Sequence, residues 1–288
     1  MIPQNIPKAL AIALLTSLIA SLVSAATKYM SGYLSVHLII SLQYAVGLGI
    51  ALPMLLRNGR GRKSFATQRP GLHLIRAVAG LVSYYSFYLA LVKIPLVEAQ
   101  LLRNAAPLFV PLVIFLAVGI KIPKARYLPL AIGFIGVLIV LRPASGGAGI
   151  WHLVGLCSAM ALAASMVCTR LLVHTESAAT VVFYYFTIAL LVSLPLAAFN
   201  FTTAPLHVWG IGLMSGIGLY MAMQLYTVSF RYAKPSIIAP ISYFGVVFAG
   251  FWGWLFWQQV PDTATYIGVT FVVCGAIITM WLPEESKT

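Results

Sequence analysis

Ten long apolar stretches, each ended by a short cluster of polar or basic residues, leave this chain little to become except a bundle of membrane helices. They run over about 9–30, 35–56, 72–92, 96–118, 126–142, 151–172, 178–199, 207–230, 236–257 and 264–282. A helix needs roughly 20 apolar residues to cross a bilayer core. Lipid offers no partner to an unpaired backbone group, so only helices and closed barrels span it. A barrel strand alternates apolar with polar residues, and no stretch here does. Composition agrees: 61% of residues are apolar and 8% charged, against about 25% charged in a soluble domain.

The ten spans form two sets of five. Pro95 opens the fourth and Pro235 the ninth; Pro143 closes the fifth and Pro283 the tenth; both pairs lie 140 residues apart. Tyr44 and Tyr184 share that offset, while Pro123 with Pro261, Gly80 with Gly218 and Tyr88 with Tyr226 lie 138 apart. Five is odd, so a duplicated five-helix unit enters the membrane the opposite way round the second time. Inverted repeats of this kind belong to secondary transporters, whose sites lie near the midplane between the halves. The expected units are residues 1–143 and 150–283, joined by a Gly-rich linker at 144–149 and followed by a short tail at 284–288.

The net charge of +13 resembles a nucleic-acid signal, but the basic residues sit at span ends and in loops. Placing the Arg57–Arg76 region in the cytoplasm puts fourteen of the 18 Lys and Arg residues on that side. Only Lys28, Lys93 and Arg142 fall on the other, with Arg103 inside a span. The positive-inside rule accounts for this bias and puts both termini in the cytoplasm; no nucleic-acid partner is implied. Lys8 followed by an apolar run to Ala26 imitates a signal peptide, but nine more spans make it a retained first helix. Cys157, Cys168 and Cys274 read as small packing residues, and the five scattered histidines make no metal motif, so neither metal nor cofactor is expected.

The segment from Arg76 to Pro143 resembles the EamA family of the drug/metabolite transporter superfamily. The resemblance rests on Arg76 and Gly80, Phe87-Tyr88-Leu89-Ala90-Leu91, Ile94-Pro95, Glu98-Ala99, Pro107-Leu108-Phe109 and the run Gly133 to Leu138. A degenerate second copy shows Pro235, Pro240 and Gly275-Ala276. The resemblance implies ten helices in two inverted repeats and transport, often export, of small metabolites such as amino acids. Leu96-Val97-Glu98-Ala99 with Arg142-Pro143 is similar to the branch of riboflavin and S-adenosylmethionine permeases. The acids that family members carry at the end of the fourth and ninth helices are replaced here by Gly119 to Pro123 and Trp257 to Pro261.

Polar side chains at membrane depth are costly and mark candidate sites. Gln100, Arg103 and Asn104 share one face of the fourth span at i, i+3 and i+4 spacing. A buried guanidinium suits a carboxylate or phosphate. Arg103 therefore either binds an anionic substrate group, oriented by Gln100 and Asn104, or snorkels outward or pairs with Glu98. Glu98 is the sole acid inside a span: it is the candidate for proton coupling, or it stabilises the helix N-terminus. Gln43, Tyr84, Tyr88, Tyr220, Gln224 and Tyr243 complete the candidate substrate wall, with ordinary packing as their other reading. Gly212 with Gly216, and Gly245 with Ala249 and Gly253, allow close helix contact within the monomer.

These features point to a multi-pass protein of a bacterial inner membrane, monomeric or weakly dimeric. It carries a small metabolite by alternating access, with protons as a candidate partner. No GxxxxGK[ST] loop is present to hold ATP, and no cluster of His, Asp or Cys suggests an enzyme. A channel is the remaining alternative.

Overall fold

A computed structural model describes residues 6–57, 65–119, 125, 127–141, 149–232, 241 and 243–281. Several sequence landmarks lie outside these residues: Pro123, Pro143, Pro235, Pro240 and Pro283, linker residues 144–148, and the basic residues Arg60, Arg62, Lys63, Lys121, Lys124, Arg126, Arg142, Lys234 and Lys287.

The described chain is helical, with α1 (Ile6–Met30), α2 (Val36–Arg57), α3 (Pro70–Lys93), α4 (Leu96–Asn104), α5 (Ala106–Val118), α6 (Tyr127–Leu141), α7 (Ile150–Leu172), α8 (Ala178–Phe199), α9 (Leu206–Tyr232), α10 (Phe244–Trp257) and α11 (Thr263–Trp281). Among the described residues, seven helical stretches are long and apolar enough to cross a membrane, α4 and α5 counting together as one; α6, α10 and α11 contribute shorter apolar segments. Local chemistry sets several boundaries. Pro70 stands at the first position of α3, where its missing N–H costs nothing. Ser177 caps α8 by accepting from the Thr180 amide, and Asp262 does the same for the Thr265 amide at α11. The expected fourth span is broken at Ala105. Pro107 cannot donate to the Arg103 carbonyl and its ring crowds that turn, so the helix restarts one residue on.

Helices pair across the two halves of the sequence. α3 packs on α7 as α1 packs on α9, and α5 packs on α7 as α1 packs on α10; α2 lies against α8, α4 against α10, and α6 against α11. Exchanging each helix for its counterpart 138–142 residues away returns the same set of pairs. The fourth span of each half also ends alike, with Gly119 at φ 72° and Gln258 at φ 54°, both left-handed.

The α6–α11 contact is backbone on backbone. A Cβ built on Gly136 would lie 2.6 Å from the Gly268 carbonyl oxygen, and one on Gly275 would lie 2.6 Å from that of Pro129. Gly212 and Gly216 of α9 lie against Leu42 and Val46 of α2, as expected of contacts within the monomer. The outer surface is apolar, with Leu116, Leu128, Leu191 and Met214 exposed. Of the cysteines, Cys168 is buried, whereas Cys157 and Cys274 sit on the outer surface rather than in packing positions.

Candidate functional site

The cross-paired helices leave a gap between α3–α4–α5–α7 on one side and α1–α9–α10 on the other. It holds about 1090 Å³ of empty space, including the part continuous with the outside. Thr16, Ser17, Arg76, Tyr84, Gln100, Arg103, Asn104, Ser165, Thr169, Tyr185 and Tyr226 supply its polar wall, and Met166 and Met223 part of its apolar one. Apart from Ala20 and Tyr84, the lining residues of α1, α3, α7, α8 and α9 come from the half of each helix nearer the end that carries Lys8, Arg57, Arg69 and Arg170. The cavity is thus displaced toward the basic end of the bundle.

The break at Ala105 places Gln100, Arg103 and Asn104 at the rim of a helix end. The Arg103 guanidinium lies over the rings of Tyr84 (4.3 Å to the centroid) and Phe87 (4.8 Å). Arg103 is 8% exposed, and its Nε has no hydrogen-bond partner among the described residues. Aromatic faces partly replace lost water for such a cation, but a buried unpaired N–H still favours an acceptor. The Gln100 Oε1 accepts from Ser24 Oγ at 3.4 Å. Gly245 of α10 backs both amides: a Cβ there would lie 3.3 Å from Gln100 Nε2 and 3.4 Å from Asn104 Nδ2. Of the candidates, Tyr84, Gln100, Arg103 and Asn104 are brought together on the cavity wall.

The other candidates lie elsewhere. Gln43 is fully engaged in packing: its Nε2 donates to Thr27 Oγ1 and Ser215 Oγ (both 3.1 Å), and its Oε1 accepts from Tyr88 (2.8 Å). That network ties α1, α2, α3 and α9 together and takes Tyr88 with it. Tyr220 directs its hydroxyl to Met54 Sδ. Gln224 and Tyr243 are off the cavity wall, each with a buried oxygen lacking a partner. Glu98 neither lines the cavity nor pairs with Arg103; its Oε2 meets His152 Nε2 of α7 at 2.9 Å.

Arg76, Tyr185 and Tyr226 line the cavity but were not among the candidates. Arg76 is 2% exposed, with Nε on Thr169 Oγ1 (2.8 Å), Nη1 on the Val181 carbonyl (3.3 Å) and its guanidinium 4.7 Å from the Tyr185 ring centroid. In the sequence it looks like the last member of a basic loop cluster. Its position seven residues inside α3 was the available signal.

The two long cross-pairs are fastened at both ends. At the basic end, Glu176 meets His73 and accepts from Thr67, while Tyr184 donates to the Phe65 carbonyl (2.6 Å). At the far end, Lys93 lies over Trp151 beside the Glu98–His152 pair. For α1–α9 the fastenings are Lys8 over Tyr232 at the basic end and Tyr29 with His207 at the far end. Lys28 also caps the end of α3, donating to the carbonyls of Leu91 (2.9 Å) and Ile94 (2.7 Å), where the helix dipole favours a cation.

The sequence matches the EamA-like transporter family twice, over residues 7–142 and 149–281. The chain belongs to the EamA-like transporter family. It is 33% identical over 232 residues to the pseudopaline exporter CntI of Pseudomonas aeruginosa, covering 80% of this chain and 81% of that protein. A riboflavin transporter of Brucella anthropi is 25% identical over 244 residues (83% and 85% coverage). An S-adenosylmethionine uptake transporter of Rickettsia bellii is 21% identical over 228 residues (79% and 78%). A solved crystal structure shares the fold at TM-score 0.68 and 20% identity, over 94% of this chain and 96% of that one. This EamA-like chain is therefore a multi-pass membrane transporter and not an enzyme.

Proposed function

We propose that the protein is a secondary transporter that exports or exchanges a small organic metabolite bearing an anionic group, such as an amino acid. The single observation carrying this reading is Arg103: a buried cation on the wall of a large cavity, its Nε unpartnered, with Gln100 and Asn104 beside it. In a low-dielectric site such a group attracts an acceptor strongly. The kinship to an exporter at 33% identity favours outward movement. The tyrosine-lined wall (Tyr84, Tyr185, Tyr226) favours as second reading a flat vitamin- or nucleoside-like cargo, as in the riboflavin and S-adenosylmethionine relatives.

In this reading the ten apolar segments cross a bacterial inner membrane, as two inverted five-helix repeats at 1–143 and 150–283 with a linker between. Exchange-symmetric helix pairing and the Lys/Arg bias support it. The basic end is cytoplasmic, so the cavity faces inward. The moving bodies are not the repeats. Because α7 is fastened at both ends to the first half, and α1 to the second, α3–α4–α5–α7 rocks against α1–α9–α10. The Glu98–His152 pair tightens the outer end, and Glu98 is the acid through which a proton would be coupled. A monomer is enough, since the cavity is built within one chain.

Counterflow in proteoliposomes tests the function. Amino acids, nucleosides and vitamins are first screened for thermal stabilisation, because a ligand stabilises by mass action. The hit should show saturable exchange, and Arg103→Ala should abolish it while the protein stays folded and monodisperse. Flux proportional to voltage without saturation, or normal uptake by the variant, overturns the reading.

A further inference from the structure

Among the described residues, the cavity wall carries two arginines, Arg76 and Arg103, and no Asp, Glu, Lys or His. Each guanidinium rests on aromatic rings, Arg76 on Tyr185 and Arg103 on Tyr84 and Phe87. Ring faces soften the cost of burying a cation but do not cancel its charge. Two positive charges with no acidic partner on the described wall therefore face one cavity. A single carboxylate would neutralise one and leave the other.

The two arginines reach the cavity from different elements. Arg76 comes from the first half of α3 and rests on Tyr185 of α8, whereas Arg103 comes from the end of α4 and rests on Tyr84. Both guanidinia keep donors for a ligand. Arg76 spends Nε on Thr169 and Nη1 on the Val181 carbonyl, with no hydrogen bond at Nη2 among the described residues; Arg103 keeps Nε unpartnered. Polar side chains line the path between them, with Ser165 and Thr169 near Arg76 and Gln100 and Asn104 near Arg103. Thr169 and Val181 also hold the Arg76 fork in place, so it is a built feature of the wall.

Resting on the reading of this cavity as the substrate site, we infer that the cargo is a dicarboxylate, one carboxylate taken by Arg103 and the other by Arg76. Specificity then lies in the spacing of the two acidic groups more than in the chain between them.

The test uses the full-length wild-type protein and a series of α,ω-dicarboxylates of increasing chain length, each beside its half-amide, with affinity read from the concentration dependence of the thermal shift. One chain length should bind about tenfold or more tighter than its half-amide. Arg76→Gln should remove that advantage by weakening the diacid far more than the half-amide, and Arg103→Gln should weaken both. Arg76→Lys, which keeps the charge, should retain part of the advantage. Equal binding of diacid and half-amide at every length overturns the inference, yet leaves the anion-transport reading standing if both still need Arg103. Stabilisation by bisphosphates but by no dicarboxylate overturns it too. If Arg76→Gln does not fold, the wild-type diacid and half-amide comparison decides alone.

Discussion

The pairs α6–α11 and α3–α7 are both antiparallel contacts between the two halves, but they are built in opposite ways. In α6–α11, Gly136, Gly268 and Gly275 bring backbone against backbone, and neither helix lines the cavity. In α3–α7, small residues also meet, Gly80 against Ser165 and Gly155 against Ala90, but polar fastenings stand at both ends and Arg76, Tyr84, Ser165 and Thr169 bring polar groups to the cavity. Without a hydrophobic drive between helices in lipid, close van der Waals packing is one way to hold a pair and buried hydrogen bonds are another. The first leaves no room for a ligand. The second leaves room and supplies polar groups. The site lies along the pair whose contact carries polar side chains.

The largest effect is expected where backbone meets backbone. Gly136→Ala puts a methyl 2.6 Å from a carbonyl oxygen that has nowhere to move. It should lower stability by about 3 kcal/mol, the upper end of ordinary overpacking, seen as a lower melting temperature and loss of the monodisperse peak. An unchanged melting temperature would break the contrast between the pairs. Next comes the buried fastening of the other pair. His73→Ala leaves Glu176 with one partner fewer and should cost about 1–3 kcal/mol, with transport falling because α7 loosens from α3. Stability lost with full transport retained would mean that the fastening is not part of the moving body. Gly245→Ala is smaller: its Cβ meets two amide tips at 3.3 and 3.4 Å, which can shift. Its melting temperature should move by less than about 1 kcal/mol equivalent, while apparent substrate affinity drops severalfold through Gln100 and Asn104. Ile135→Val sharpens the comparison from within α6. Ile135 faces outward at 46% exposure, and the change should fall within about 0.5 kcal/mol, one residue from the position expected to be most sensitive.

The Gln100, Arg103 and Asn104 face was legible because polar groups at helical spacing inside an apolar span need a common partner or cavity. Gln43 obeyed the same logic and led elsewhere: its needs are met by Thr27, Ser215 and Tyr88. Spacing alone does not tell a polar residue facing a cavity from one facing other polar residues. Glu98 was legible as an embedded acid, but its partner His152 lies 54 residues away in the other half. Arg76 was masked by the basic loop before it, although its fork turns inward to Thr169.

Hydropathy, odd-numbered repeats and charge placement follow from composition and order along the chain, so the sequence alone determined a helical membrane transporter built twice over. Which helices cross-pair, which polar residues meet one another, and which two arginines share a cavity depend on contacts between segments far apart in the chain. Only the tertiary structure decided those, because a buried polar group is read by its partner, and the partner is set by packing.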